Sequence, residues 1–399
     1  MEHIKGAGVC TPLGFTASAV SADIKGNGKN RNDFTLLYSE VPFRASAIFT
    51  KNRFKAAPLL YCQEVMGKGK EYYGIAVNSG NANACTGEAG LEDCRTIAAA
   101  LEAEIGVPYG SILLNSTGVI GVPLPVDRMV EKTGELVDEL DSSQSDLFAE
   151  AIMTTDSVSK EYSVLVETDN GAYVVAGAAK GAGMIAPGMA TMLAFITTDA
   201  MVNQDLLDES IKEAAEDSFN SITVDGDMST NDSVYLFSNG MSGIIPNRDE
   251  FKAAVLRVCL ELAKMIVRDG EGATKLCEVN VKGAKSPEDA EILSFALANS
   301  PLFKTMLHGE DPNWGRIMAT IGASRVNCEQ GEVDIYFEDL KYVEGGLLIN
   351  PELESKAAEI MKQDELTITI DLNAGSDARK VYTCDLTREY IAINADYRS

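Results

Sequence analysis

The chain has 399 residues, 45% hydrophobic and 24% charged, a composition expected of a soluble globular protein too long for one small core. Its formal net charge of −26 excludes reliance on a nucleic-acid backbone, which needs clustered Lys and Arg. The eight cysteines show no Cys-x-x-Cys or His-paired spacing, and Met1-Glu2-His3-Ile4-Lys5-Gly6 begins no apolar signal segment. A reduced, cytoplasmic protein without a bound metal is expected.

Taken in order, Ile75-Ala76-Val77 is an apolar run before a small polar loop, Asn78-Ser79-Gly80-Asn81-Ala82-Asn83. Residues 91–105 carry helical apolar spacing, and 111–114 read as a buried strand entering a small-residue turn at 115–121. An amphipathic helix is expected over 127–140. Residues 161–167 alternate as a strand. Asn170-Gly171 signals a hairpin, because both residues tolerate positive φ, and 172–178 is the return strand. That strand delivers Lys180 to a loop containing Gly181, Gly183, Pro187 and Gly188, after which 192–198 is again a buried strand.

Helices are expected over 202–219 and 249–267, the second with Asn247 and Glu250 as a capping pair and Gly270 as its stop. Between them, Asp225 to Asp232 looks like a calcium loop. It lacks Gly at the sixth place and has Leu236 at the twelfth, so it reads as a polar turn. Ser286-Pro287 opens another helix, 304–319 contains the single Trp314, and Met361 ends a helix. Strands at 333–337, 366–372 and 380–386 suggest a smaller α+β domain at the C-terminal end.

The uncharged stretch 181–198 is the most informative. A membrane span is opposed by Pro187-Gly188 in its middle and by its threonines. Gly181-x-Gly183-x-x-Ala186 fits a dinucleotide fingerprint, but Pro187-Gly188 breaks the helix that such a loop must open. A third reading is a nucleophile released by self-cleavage. If the Ala190–Thr191 bond breaks, Thr191 gains an α-amine that titrates near about 8 in reference peptides. That amine can take the proton of its own hydroxyl and needs no histidine. The chain has only two histidines, His3 and His308. Oxyanion donors are then required, and the Thr117-Gly118 turn is the candidate source. On these residues alone the stretch also reads as a plain strand, loop and strand.

Lys180-Gly-Ala-Gly-Met-Ile-Ala-Pro-Gly-Met-Ala-Thr191-Met-Leu-Ala-Phe resembles the autoprocessing segment of ornithine acetyltransferase, the bifunctional glutamate N-acetyltransferase of arginine biosynthesis. Asn78–Ala84, Ser116–Gly121, Met153–Asp156, Asp269–Glu271, Asp311–Arg316 and Asn394–Ser399 resemble its other motifs, in its order. The resemblance spans essentially the whole chain. It implies an α/β (α+β) fold with a layered α-β-β-α core shared by two cleavage fragments, and a smaller C-terminal α+β domain. The fragments would be 1–190 and 191–399, with roughly 191–280 completing the core and roughly 281–399 forming the second domain.

The resemblance further implies acetyl transfer from N2-acetylornithine to glutamate through acetyl-Thr191, with Thr117 and Gly118 as oxyanion hole. Thr154, Lys180, Thr191, Glu271, Asn394 and Ser399 would contact substrate, although Thr154 is not distinguished from Thr155. No cofactor, metal, nucleic acid or membrane is implied, and the expected assembly is α2β2. Whether acetyl-CoA also donates is open. The alternative enzyme is an autoprocessed aminopeptidase or amidase with the same nucleophile, because water can replace glutamate at the acyl-enzyme. A non-enzymatic scaffold with an uncut loop is the third reading.

Overall fold

The computed structural model describes residues 1–69, 71–186 and 192–396. Its first sheet uses β1 (Glu2–His3), β2 (Phe15–Val20), β3 (Phe34–Phe49), β4 (Tyr72–Asn81), β5 (Ile112–Val119), β6 (Lys160–Thr168), β7 (Gly171–Lys180) and β8 (Leu193–Thr198). After a short β9 (Ile222–Thr223) that leaves for the second sheet, β10 (Ser233–Ser238) completes it. The order is β1-β6-β7-β8-β10-β3-β4-β5, with β2 also on β3.

β3 joins two leaves. Its first part, Phe34 to Ser39, pairs with β2 and β4, and its last part, Arg44 to Phe49, pairs with β10. Alternating side chains divide the β1-β6-β7-β8-β10 leaf between two cores, as the two-residue period of a strand requires. Leu193 and Phe195 of β8, with Tyr235 and Phe237 of β10, pack toward Leu36, Ile75 and Leu113 of the other leaf. Ala194, Ile196, Val234 and Leu236 face the opposite way, into a core with Leu207, Val258 and Leu262. The helices Gln204–Asp217 and Arg248–Arg268 cover that face. The helices Ala57–Met66 and Gly87–Ile105 pack on β5 beyond the other leaf. The result is four layers, helix, leaf, leaf, helix, built from chain on both sides of residue 190.

The second sheet runs through β11 (Leu276–Ala284), β12 (Asp334–Phe337), β13 (Leu340–Glu344), β14 (Leu347–Leu348), β15 (Glu365–Asp371) and β16 (Asp377–Cys384), in the order β14-β13-β12-β15-β11-β16-β9. Its core draws on residues from Cys277 to Val381. Short β9 pairs with β16 in parallel, so the chain just before the second sheet already holds its edge.

Several local expectations change. The Asn78 to Asn81 segment is strand, not loop, and Asn115 to Val119 continues β5. Turn-forming residue types stay extended here because their side chains bond each other while buried: Ser116 Oγ donates to Asn78 Oδ1 at 2.6 Å and Asn78 Nδ2 to the Asn81 carbonyl at 2.9 Å. The expected helix 127–140 is two short ones, Val126–Glu131 and Thr133–Asp138. The stretch 304–319 is likewise split, because Pro312 cannot continue Pro301–His308 and a new helix, Trp314–Ala323, begins after it. The hairpin bends at Asp169-Asn170, with Thr168 paired to Gly171.

Glu161 of β6 is half-buried. Burial, reinforced by Asp146 and Glu150, pushes its carboxyl up to about 7. A carboxyl raised on folding binds more protons in the folded than in the unfolded chain between its two values. Stability therefore falls as pH rises from about 4.3 toward that raised value. Glu161→Gln is expected to remove this fall, bringing the melting temperatures at pH 5 and pH 8 closer together than in the unaltered protein; thermal melts at the two pH values check it.

Candidate active site

β5 ends at the site because of a close approach that only glycine permits. Gly118 has φ +135, and a Cβ there would lie 2.2 Å from the Gly80 carbonyl carbon. This contact seats the buried Thr117 beside Ser79, and Gly118 beside Gly80, at the parallel β4–β5 edge.

β7 delivers Lys180 to the same place. Its ammonium is buried, donates to Thr154 Oγ1 at 2.8 Å and lies 3.6 Å from Asp156 Oδ2. Of the neighbouring threonines, Thr154 is the one that Lys180 touches. Asp156 also accepts from Lys160 Nζ at 2.8 Å, Gly181 N at 2.6 Å and Thr154 N at 3.0 Å. Lys160 reaches on to Asp269 at 2.5 Å, and Asp269 accepts from the backbone and hydroxyl of Ser157. Burial alone would raise the Asp156 carboxyl; Lys180, Lys160 and the hydrogen bonds outweigh it and hold the group well below the usual carboxylate range. Two cations and two carboxylates thus alternate in one buried chain, which ties the end of β7 to the end of the helix Arg248–Arg268.

Glu271 follows that helix end directly. Its N–H donates to the Ala182 carbonyl at 2.9 Å, and its carboxylate accepts from Asn394 Nδ2 at 2.7 Å. Gly183 leaves room for the Glu271 carboxylate, since a Cβ would sit 2.4 Å from Glu271 Cδ and push that side chain aside. Asn394 lies on the helix Arg388–Asp396. That helix is held by the Thr387 hydroxyl on the Gly272 carbonyl, 2.8 Å, and by Tyr390 Oη on Asp225, 3.3 Å. Asp225 also accepts from the N–H groups of Met184 and Ile185 at 2.6 and 2.8 Å, so its carboxylate organises the loop that follows Lys180. Where the described chain resumes, Met192 N–H donates to Asp232 Oδ1 at 3.1 Å. Burial pushes the Asp232 carboxyl well up.

Thr117, Gly118, Thr154, Lys180, Glu271 and Asn394 therefore line one cavity of about 80 Å³, together with Thr155, Ser229, Thr230 and Asn231. Ala190, Thr191 and Ser399 lie outside the described residues. The cavity offers a buried cation, a carboxylate 2.7 Å from a carboxamide, and hydroxyls beside a glycine-edged strand. These groups suit a zwitterionic, amino-acid-like ligand. A larger open groove of about 920 Å³, lined by Arg44, Tyr72, Gln204 and Asn239 among others, contains none of them.

Sequence reasoning gave no role to Asp156, Lys160 and Asp269, although two of the motifs quoted above contain Asp156 and Asp269. Lys160 stands four residues beyond Asp156, which is the available signal. It reads 225–232 as a polar turn, and the structure buries its second half, Ser229 to Asp232.

The ArgJ family model matches residues 16–399. The arginine biosynthesis bifunctional protein ArgJ of Geobacter sulfurreducens is 45% identical over 392 residues, covering 97% of this chain and 99% of that protein. Its namesake from Symbiobacterium thermophilum is 42% identical over 405 residues and covers 100% of each. The crystal structure of ornithine acetyltransferase from Mycobacterium tuberculosis, complexed with ornithine, is 35% identical, covers 47% of this chain and 97% of that one, and has a TM-score of 0.43. The match extends along nearly the whole chain at identities too high for a fold-level likeness alone, and the chain belongs to the ArgJ family.

Proposed function

We propose that the chain is a glutamate N-acetyltransferase that cuts itself between Ala190 and Thr191 and then moves acetyl groups through Thr191. The new α-amine takes the Thr191 hydroxyl proton as the oxygen attacks the acetyl carbonyl of N2-acetylornithine. Thr117 and Gly118 donate to the oxyanion. The amide C–N bond breaks, ornithine leaves with the proton, and glutamate takes the acetyl group from the ester in the reverse sequence. The observation that carries this reading is the convergence of six motif residues, drawn from widely separated parts of the chain, on one cavity.

Within it, Lys180 holds a substrate carboxylate as a point charge, Thr154 positions Lys180, and Glu271 with Asn394 receives the ornithine ammonium. Ser399 belongs to the same substrate set. The two fragments stay together because β7 and β8 are paired neighbours across the cut, Lys180 against Leu193, and they assemble as α2β2 in the cytoplasm. Fragment 191–399 carries the end of the core to about residue 280 and the C-terminal α+β domain beyond it.

Two assays test this. A denaturing gel is expected to show two fragments of nearly equal size. Glutamate acetylation is measured with N2-acetylornithine and, separately, with acetyl-CoA. Glutamate-independent release of acetate would favour the amidase reading, and an uncut, inactive chain would contradict both enzymes. Glu271→Gln is expected to raise KM for acetylornithine about tenfold or more, the loss of one charge-assisted contact, with KM for glutamate less affected; steady-state kinetics for the two substrates check it.

A further inference from the structure

The stretch Ser229-Thr230-Asn231-Asp232 has four consecutive polar residues at 3, 8, 3 and 0% exposure. Burying polar groups is costly unless they find partners, and most here do, Asp232 Oδ2 excepted. Thr50 and Ala56 donate their N–H groups to the Asp232 and Thr230 carbonyls, both at 2.9 Å. Ser229 Oγ accepts from Asn231 N at 3.1 Å.

The Asn231 carboxamide has the most directed set. Its Nδ2 donates to the carbonyls of Ser116 and Ala82, each at 2.7 Å, and its Oδ1 accepts the Thr230 hydroxyl at 2.6 Å. A flipped amide would set its oxygen against two carbonyls, so the orientation follows from the neighbours. Ser116 immediately precedes Thr117, and Ala82 lies just past the Gly80 edge on which Gly118 rests. One buried side chain therefore clasps the ends of β4 and β5, from the segment that leads into β10, the neighbour of β8. Asn115 Nδ2 on Ser233 Oγ, 2.5 Å, adds a second tie, one residue before Ser116 and two residues after Asn231.

We propose that Asn231 is the positioning residue of the oxyanion hole, binding the Ser116 and Ala82 carbonyls so that the donors at Thr117 and Gly118 stay aimed at the acetyl carbonyl. This rests on the reading of Thr117 and Gly118 given above. Two carbonyls left unpaired beside the cavity would present negative dipoles where an oxyanion has to form, and would release the edge that carries the donors. The effect falls on the transition state rather than on substrate binding, because Asn231 Nδ2 has both hydrogens engaged by the protein. The cut at Ala190–Thr191 does not depend on it.

The test uses the full chain with Asn231→Ala. Where that variant gives no cooperative thermal transition, Asn231→Ser is read in its place, its hydroxyl able to serve one carbonyl at most. The expected result is a cut protein whose kcat for acetyl transfer falls about 10–100-fold, part of what removal of an oxyanion donor costs, with KM for acetylornithine and glutamate within about twofold. The infrared carbonyl band of the acetyl-enzyme formed from 13C-acetyl-labelled acetylornithine should also move toward the free-ester position. An unchanged kcat, a change confined to KM, an unmoved carbonyl band, or a folded but uncut variant overturns the proposal. A free-ester band already present in the unaltered enzyme overturns the oxyanion-hole reading, and this inference with it.

Discussion

Thr191→Ala is expected to run as a single 42.7 kDa band and to lose acetyl transfer by about 10⁴-fold or more, the scale seen when a covalent nucleophile is removed. The reason lies in what the cavity lacks. His3 stacks on Tyr162 with ring centroids 4.3 Å apart, and His308 bonds Asp385 at 3.1 Å; neither lines the cavity. A serine or threonine there has no imidazole to take its proton, so a nucleophile that supplies its own amine fits the surroundings. Cutting and activity are lost together, because the amine exists only after the bond breaks. A Thr191→Ala enzyme that still transfers acetyl groups within about tenfold of the unaltered rate would move the nucleophile elsewhere.

The second large effect is structural as well as chemical. Asp156→Asn is expected to lower stability at pH 7 by about 3–5 kcal/mol, the cost of breaking a buried ion pair from one side, and to abolish transfer by releasing Lys180. Asp156 contributes stability that is present above its unfolded value, near about 3.9, and is lost as pH falls through its depressed folded value. The gap between the unaltered protein and Asp156→Asn should therefore be widest at pH 7, smaller at pH 3, and closed only when pH falls through the depressed folded value. Denaturant melts at pH 7 and pH 3 check this. A variant less than about 1 kcal/mol weaker at pH 7 would mean that Lys160 and Lys180 have other anchors.

The legible parts of the fold were those whose pattern is local. The hairpin 160–180 showed its alternation and its turn, and the helix Arg248–Arg268 showed its cap: Asn247 accepts from the N–H groups of Asp249 and Glu250. The misread parts were polar stretches that the fold buries. Asn78 to Asn81 and Asn115 to Gly118 have the residue types of turns, and only the partners across β4 and β5 make them strands. Ser229 to Asp232 read as part of a polar turn, and their burial rests on partners such as Ser116 and Ala82 far along the chain. The Asp269 end of the ion chain was illegible because Asp269 lies far along the chain from its partner Lys160, 109 residues away. The cavity's six named residues were readable as motifs, but nothing in their spacing said that they meet. The α-β-β-α layering implied by the resemblance appears as two leaves joined through β3.

The most direct measurement is intact mass of the two fragments after brief incubation with N2-acetylornithine and no glutamate. The account predicts one acetyl group on the fragment that begins at Thr191, lost again when glutamate is added. A fragment that stays unmodified while glutamate is still acetylated would contradict it.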